Sequence, residues 1–195
     1  MGLIRVALAG EGGQGVQAVA EIISEAAFNE GKQAIYIPNF GIEQRGGVSV
    51  AFIQVSDARI GAPKFEKAEV VVALCGRAIA RTAIYSDENT LFVYDSASDA
   101  NDTDFPKSAK KIVGIPAIDT ANNELHPRVF NIIIMGAVIG LSQVVSFKAA
   151  SDALIYRLGY KFERNPKLKE MNFKALALGK QLAEEALHEK VVVNE

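Results

Sequence analysis

Ile4-Arg5-Val6-Ala7-Leu8-Ala9-Gly10-Glu11-Gly12-Gly13-Gln14-Gly15-Val16 is the stretch that decides the fold. Ile4 to Ala9 is an apolar run of strand length that stops at glycine-rich sequence, which reads as a buried strand. From Val16 the apolar positions Val16, Val19, Ala20, Ile23, Ala26 and Ala27 recur at helical spacing until Gly31 supplies a left-handed stop. The glycines between them satisfy Gly-x-Gly-x-x-Gly after a strand and before a helix, the context that gives the pattern meaning. Glycine opens backbone turns closed to other residues, and the first amides of the helix point outward with a partial positive charge. Gly10, Gly12, Gly13, Gln14 and Gly15 are therefore candidate ligand-binding positions, with a phosphate, pyrophosphate or carboxylate as guest. The alternative is a glycine loop that only makes a tight turn.

Working outward, Gln33 to Ile37 reads as a second strand closed by Pro38, and Val48 to Val55 as a third. The link between them has no room for a crossover helix, so the third strand is expected to be antiparallel or displaced. Val70 to Leu74, Leu91 to Tyr94 and Ile112 to Ile115 read as further strands, with a helical stretch around Arg77 to Tyr85. An apolar helix is expected from about Val129 to Val145, and a second, capped by Ser146, ending near Gly159. Asn165-Pro166 opens a charged helix reaching about Leu187. Asp95 to Asp104 reads as a surface loop. These elements predict an α/β fold: a three-layer α/β/α sandwich with a mostly parallel, Rossmann-like sheet and one displaced or antiparallel strand, spanning residues 1–195 as one domain.

Composition agrees. The 195 residues are 49% hydrophobic and 23% charged, which suits one compact core. With 21 basic and 23 acidic residues the net charge is −2, so no electrostatic excess speaks for nucleic acid or a membrane face. Any anion must be held locally. The single cysteine, Cys75, leaves no set of thiolates for a metal or an iron–sulfur cluster, and the sequence offers no metal site. Ile132 to Leu141 is the longest apolar stretch, shorter than the ~20 residues that span a bilayer. No signal peptide pattern opens the sequence, which predicts a cytoplasmic location.

A nicotinamide or flavin dinucleotide would want an acid at the end of the second strand to hold the ribose. That strand ends Ile35-Tyr36-Ile37-Pro38-Asn39, and Glu43 comes later, inside a loop. The second unusual stretch is Pro38-Asn39-Phe40-Gly41-Ile42-Glu43-Gln44-Arg45-Gly46-Gly47. Arg45 beside Gly46 and Gly47 combines a fixed cationic fork with a backbone that admits close approach, either as an anion site or as a hairpin-like turn with a solvated arginine.

Together the two stretches resemble the gamma subunit, or gamma-type domain, of the 2-oxoacid:ferredoxin (acceptor) oxidoreductases. Gly12-Gly13-Gln14-Gly15-Val16 and Pro38 through Gly47 match that family in order and spacing, with Phe40 where tyrosine is usual. Ser56-Asp57-Ala58-Arg59-Ile60, Ile115-Pro116-Ala117, Asn131 and Met135-Gly136-Ala137 extend the likeness to most of the chain. The resemblance implies one subunit of a heteromeric enzyme, inactive alone, that decarboxylates a 2-oxoacid such as 2-oxoglutarate or pyruvate, passes the acyl group to coenzyme A and reduces ferredoxin or a similar acceptor. Thiamine diphosphate, Mg and iron–sulfur clusters are then expected in partner subunits. Coenzyme A is then expected to be the cosubstrate this chain helps bind, through Gly10, Gly12, Gly13, Gln14 and Gly15 with Arg45, Gly46 and Gly47. Glu11 is expected to turn away or pair with a base.

No catalytic residue is assigned. Cys75 reads as a buried thiol at a strand end, and His126 and His188 lack a nucleophile system. Asp95, Ser96, Ser98 and Asp99 read as loop residues. Lys161, Arg164, Lys167 and Lys169 read as a solvated helix entry. Two rival functions use the same loop: a stand-alone dinucleotide-binding oxidoreductase, and a non-enzymatic adaptor subunit.

Overall fold

A computed structural model describes residues 2–39 and 47–188. The opening stretch forms β1 (Ile4–Glu11) and α1 (Val16–Asn29), followed by β2 (Gln33–Asn39), β3 (Val48–Ser56), β4 (Val70–Ala73), α2 (Gly76–Thr82), β5 (Leu91–Asp95) and β6 (Lys111–Ile115). The chain then turns helical through α3 (Ala117–Glu124), α4 (Phe130–Ser142), α5 (Phe147–Arg164) and α6 (Pro166–His188). Six strands form one sheet in the order β2-β3-β1-β4-β5-β6. β1, β4, β5 and β6 pair in parallel, whereas β3 runs antiparallel to both β1 and β2. The expected antiparallel third strand thus inserts between β1 and β2.

Strand alternation divides the core unequally. Val6 and Leu8 face the side packed by α1, α4, α5 and α6. Ala7 and Ala9 face the other side with Val50, Val71 and Phe92, which among the described residues are covered by α2 and by side chains such as Phe65, Tyr85 and Phe105. The third layer is thin. On the thick side α4 is apolar almost all round, and it lies against α6 without side chains between them at two glycines. A Cβ on Gly136 would stand 2.2 Å from the Leu176 carbonyl oxygen, and one on Gly179 1.9 Å from that of Ile133.

Three expectations are corrected. The apolar helix begins at Phe130 after a 3-10 turn over Pro127–Val129 and stops at Ser142, because Gln143 adopts a left-handed φ of 53°. The helix capped by Ser146, whose Oγ accepts from the Ala149 amide at 3.1 Å, passes Gly159 and continues to Arg164. Burial of Phe162 rewards those further residues, and the space around Gly159 is open. Asp95 ends β5 and is fully buried; its carboxylate accepts from the amides of Ala97 and Ile118, both at 2.9 Å. It thereby holds the first turn of α3, a helix the sequence did not announce. Burial pushes the Asp95 carboxyl above its ordinary pKa, with the amides of Ile118 and Ala97 opposing the shift.

Glu30 ties the end of α1 to the start of α5. Its carboxylate accepts from Lys32 Nζ at 2.6 Å and from the Ser146 amide at 2.9 Å. Burial by itself would raise its pKa, but those bonds outweigh it and hold the carboxyl below its ordinary value. The unfolded chain therefore binds the proton more readily, so the stability Glu30 contributes is present above its unfolded pKa and lost as pH falls through the folded one. Glu30→Gln is expected to cost about 1 kcal/mol at neutral pH and nothing in acid below both pKa values. Urea unfolding at a series of pH values checks this; an equal cost at every pH would refute it.

Candidate functional site

Strand order places the site. α1 leaves β1 on one face of the sheet and α2 leaves β4 on the other, so the parallel neighbours β1 and β4 flank a topological switch point. Ligands of open α/β sheets bind in the crevice beyond the carboxyl ends of such strands. Here the residues after β1 are Gly12, Gly13, Gln14 and Gly15, and those after β4 are Leu74, Cys75 and Gly76. Gln14 stitches the two together. Its Oε1 accepts from the Glu11 amide at 2.7 Å, and its Nε2 donates to the Leu74 carbonyl at 3.3 Å.

The five glycine-loop positions part company in this arrangement. Gly10 is buried within β1, where a Cβ would meet Gln14 Oε1, Leu74 Cβ and Val16 at 3.0 Å or less. It is small so that Gln14 can fold over it, and it is buried in the strand, whereas Gly12 and Gly13 are exposed. Gln14 uses its side chain to brace the loop. Gly12 and Gly13 are exposed, with nothing within 4 Å of a built Cβ, and Gly13 has φ +93°. Gly15 is the residue before α1, with φ +80°, and a Cβ there would strike Asn131 Nδ2 at 2.2 Å.

Among the described residues, no hydrogen bond occupies the amides of Gly12, Gly13 or Gly15. No side chain caps α1, and its first turn holds no acid. The helix start therefore keeps its partial positive charge facing the opening. α4 also begins here through Asn131, again without a side-chain cap or a first-turn acid. Asn131 Oδ1 is buried without a partner.

Glu11 pairs with a base, as expected. Arg77, in the first turn of α2, donates Nε at 3.0 Å and Nη2 at 2.8 Å to Glu11 Oε1, closing a bridge across the crevice. The pair removes the repulsion a bare carboxylate would impose on an anion. Cys75 precedes α2 half-buried. Burial pushes its thiol above the ordinary value, and the neighbouring Glu11 carboxylate adds to the push, which disfavours the thiolate.

Gly47 precedes Val48, the register partner of Glu11, and so emerges beside the start of the glycine loop. Arg45 and Gly46 lie outside the described residues, as does Glu43. The insertion of β3 also bears on the dinucleotide reading. In the usual nucleotide-binding order the ribose-holding acid ends the strand next to β1, but here β2 stands two strands away, ~10 Å at the ordinary spacing. The end of β2 is remote from the loop as well as lacking an acid. Among the described residues no group of three or more His, Cys, Asp or Glu could hold a metal ion, and no helix is long and apolar enough to cross a membrane.

Comparison with known proteins agrees with this geometry. The sequence profile of the family described as pyruvate ferredoxin/flavodoxin oxidoreductase matches residues 5–182. Ketoisovalerate oxidoreductase subunit VorA of Methanothermobacter thermautotrophicus is 29% identical over 186 residues, covering 93% of this chain and 37% of VorA. The chain thus spans little more than a third of that relative. The pyruvate/ketoisovalerate oxidoreductases common subunit gamma of Pyrococcus furiosus is 32% identical over 158 residues, 78% of this chain and 85% of that one. Among solved structures, the keto/oxoacid ferredoxin oxidoreductase gamma subunit of Geobacter sulfurreducens superposes with a TM-score of 0.77 at 29% identity, covering 94% of this chain and 99% of that one. The 2-oxoglutarate:ferredoxin oxidoreductase of Magnetococcus marinus, solved with 2-oxoglutarate, coenzyme A and succinyl-CoA bound, shares the fold with a TM-score of 0.84 at 24% identity, over 95% of this chain and 32% of that one.

Proposed function

The chain belongs to the pyruvate ferredoxin/flavodoxin oxidoreductase family, and from that premise we propose that it is the gamma subunit, or gamma-type domain, of a multisubunit 2-oxoacid:acceptor oxidoreductase. The complex would oxidatively decarboxylate a 2-oxoacid of the 2-oxoglutarate or pyruvate type to an acyl-coenzyme A and reduce ferredoxin or a similar acceptor. This chain's share is to bind coenzyme A and complete the subunit interface. The observation that carries the reading is the open set of amides at Gly12 and Gly13, at an uncapped helix start beside a charge-neutralised Glu11. A pyrophosphate suits such donors.

The division of labour follows from composition. A cluster of the ferredoxin kind takes about four thiolates, and the chain has one cysteine, so iron–sulfur clusters do not fit here and belong to partner chains in this reading. Thiamine diphosphate and Mg are placed there too. Coenzyme A supplies the thiol that receives the acyl group. The glycine-loop amides hold its pyrophosphate in place, Gln14 keeps the loop in register with β4, and Arg45 with Gly46 and Gly47 adds a cationic fork near the ligand or the interface. Tight NAD or FAD binding by the chain alone would favour the dinucleotide rival instead.

The complex purified from its native source, assayed for acceptor reduction over several 2-oxoacids, identifies the substrate. In that complex Arg45→Ala is expected to weaken apparent coenzyme A affinity about tenfold, the loss of roughly one charge-assisted bond, with the KM for the oxoacid unchanged. Unchanged coenzyme A affinity and turnover would overturn the role of Arg45. Weakened assembly with intact affinity in the remaining complex would favour the adaptor reading.

A further inference from the structure

The thin face of the sheet leaves a hollow of about 420 Å³ next to the glycine loop, lined by Val48, Arg77, Ala80 and Arg81. Three features locate it. Val48 is the register partner of Glu11, so one wall is the strand end beside Gly12. Arg77 is fixed by its bonds to Glu11, so a second wall is tied to the loop itself. Arg81 stands four residues further along α2, one helical turn or ~6 Å of axial rise from Arg77. The hollow therefore lies beside the strand end that leads into the loop, with two arginines one helical turn apart on its wall.

Among the described residues, the ionised ones lining the hollow are Arg77 and Arg81, and the Glu11 carboxylate beside it is engaged by Arg77. A planar guanidinium is the side chain best matched to a phosphate monoester, through paired N–H donors. A cation in the last turn of α2 also complements the helix dipole, but that role would leave ligand affinity untouched.

Resting on the coenzyme A reading above, we propose that this hollow is a second anion subsite, which takes the ribose 3′-phosphate while the glycine loop takes the pyrophosphate, with Arg81 as the residue that reads it. Arg77 is its positioning partner, held toward the hollow by Glu11. The site then distinguishes coenzyme A from ligands that carry a pyrophosphate alone, a discrimination the loop amides cannot supply.

The probes are coenzyme A and 3′-dephospho-coenzyme A, which differ by that one phosphate, titrated calorimetrically into the assembled complex at low and physiological salt. The wild-type complex is expected to prefer coenzyme A by about tenfold or more, with the preference shrinking as salt rises, since the subsite is exposed. Arg81→Gln should bring the two affinities together by weakening coenzyme A alone, and Arg81→Lys should restore part of the gap. Retention of the wild-type ratio in Arg81→Gln would overturn the subsite while leaving the coenzyme A reading intact. An equal loss for both probes would also overturn it, because the arginine would then serve the pyrophosphate. Binding of neither probe by the wild-type complex would overturn the coenzyme A reading itself.

Discussion

Gly179→Ala is expected to destabilise the protein by about 3 kcal/mol or more, an exceptional cost for one methyl group. The added Cβ would lie 1.9 Å from the Ile133 carbonyl oxygen and 2.8 Å from the Ala137 amide nitrogen, both backbone atoms of α4. No rotamer change can relieve a clash with backbone. The only remedy is to separate α4 from α6, which would expose part of the buried run around Ile133, Ile134 and Met135. Gly136 makes the reciprocal approach from α4, so the two helices are held at glycine distance from both sides. Gly159→Ala is the contrasting substitution. Gly159 lies inside α5 with nothing within 4 Å of a built Cβ, so the change is expected to stabilise by about 0.5–1 kcal/mol through helix propensity and chain entropy. Urea unfolding of the two variants tests the pair, and a Gly179→Ala midpoint within experimental error of wild type would show that the helices do not meet as closely as described.

The parts of the fold legible in sequence are those with local causes. The strand, glycine loop and helix at the amino end follow from periodicity and backbone freedom, and β3 is antiparallel because the short link allows nothing else. Electrostatics alone leaves Glu11 either to turn away or to pair with a base, and cannot name the base: Arg77 arrives through the parallel pairing of β1 with β4. What escaped sequence reading has causes distant along the chain. α3 reads Ala-Ile-Asp-Thr-Ala-Asn-Asn-Glu, with only Ala117, Thr120 and Ala121 buried, and its start is held by the carboxylate of Asp95 from the end of β5. Asp95 itself opens a polar, turn-rich stretch, so nothing local marks it as fully buried. Gly10 illustrates a further limit. The four glycines of the loop look alike in sequence, yet Gly10 makes room for Gln14, Gly12 and Gly13 are exposed and Gly15 makes room for Asn131. Arg81 carried no motif at all, and only the thin coverage of one sheet face turns it toward a hollow.

The division of roles among those glycines yields the second large effect. Gly15→Ala is expected to weaken coenzyme A binding by the complex at least tenfold and to cost stability, for two separable reasons. The residue sits at φ +80°, where a side chain costs about 1–2 kcal/mol, and its Cβ would lie 2.2 Å from Asn131 Nδ2. Relief of that contact by moving the loop would turn the amides of Gly12 and Gly13 from the positions in which the proposed pyrophosphate contact needs them. Asn131→Ala should be mild alone, because Asn131 Oδ1 is buried without a partner and its removal deletes an unsatisfied acceptor. Placed in the Asn131→Ala background, Gly15→Ala should lose the collision and keep the backbone strain, so the double variant should recover part of both the stability and the affinity. The cycle needs only unfolding free energies and coenzyme A titrations. Additivity of the two single costs within about 0.5 kcal/mol would mean that the residues do not touch, and the start of α4 would then have no part in shaping the loop. Coupling in stability without coupling in affinity would separate the two claims: Asn131 would pack the turn, while the guest, if held at all, would be held elsewhere.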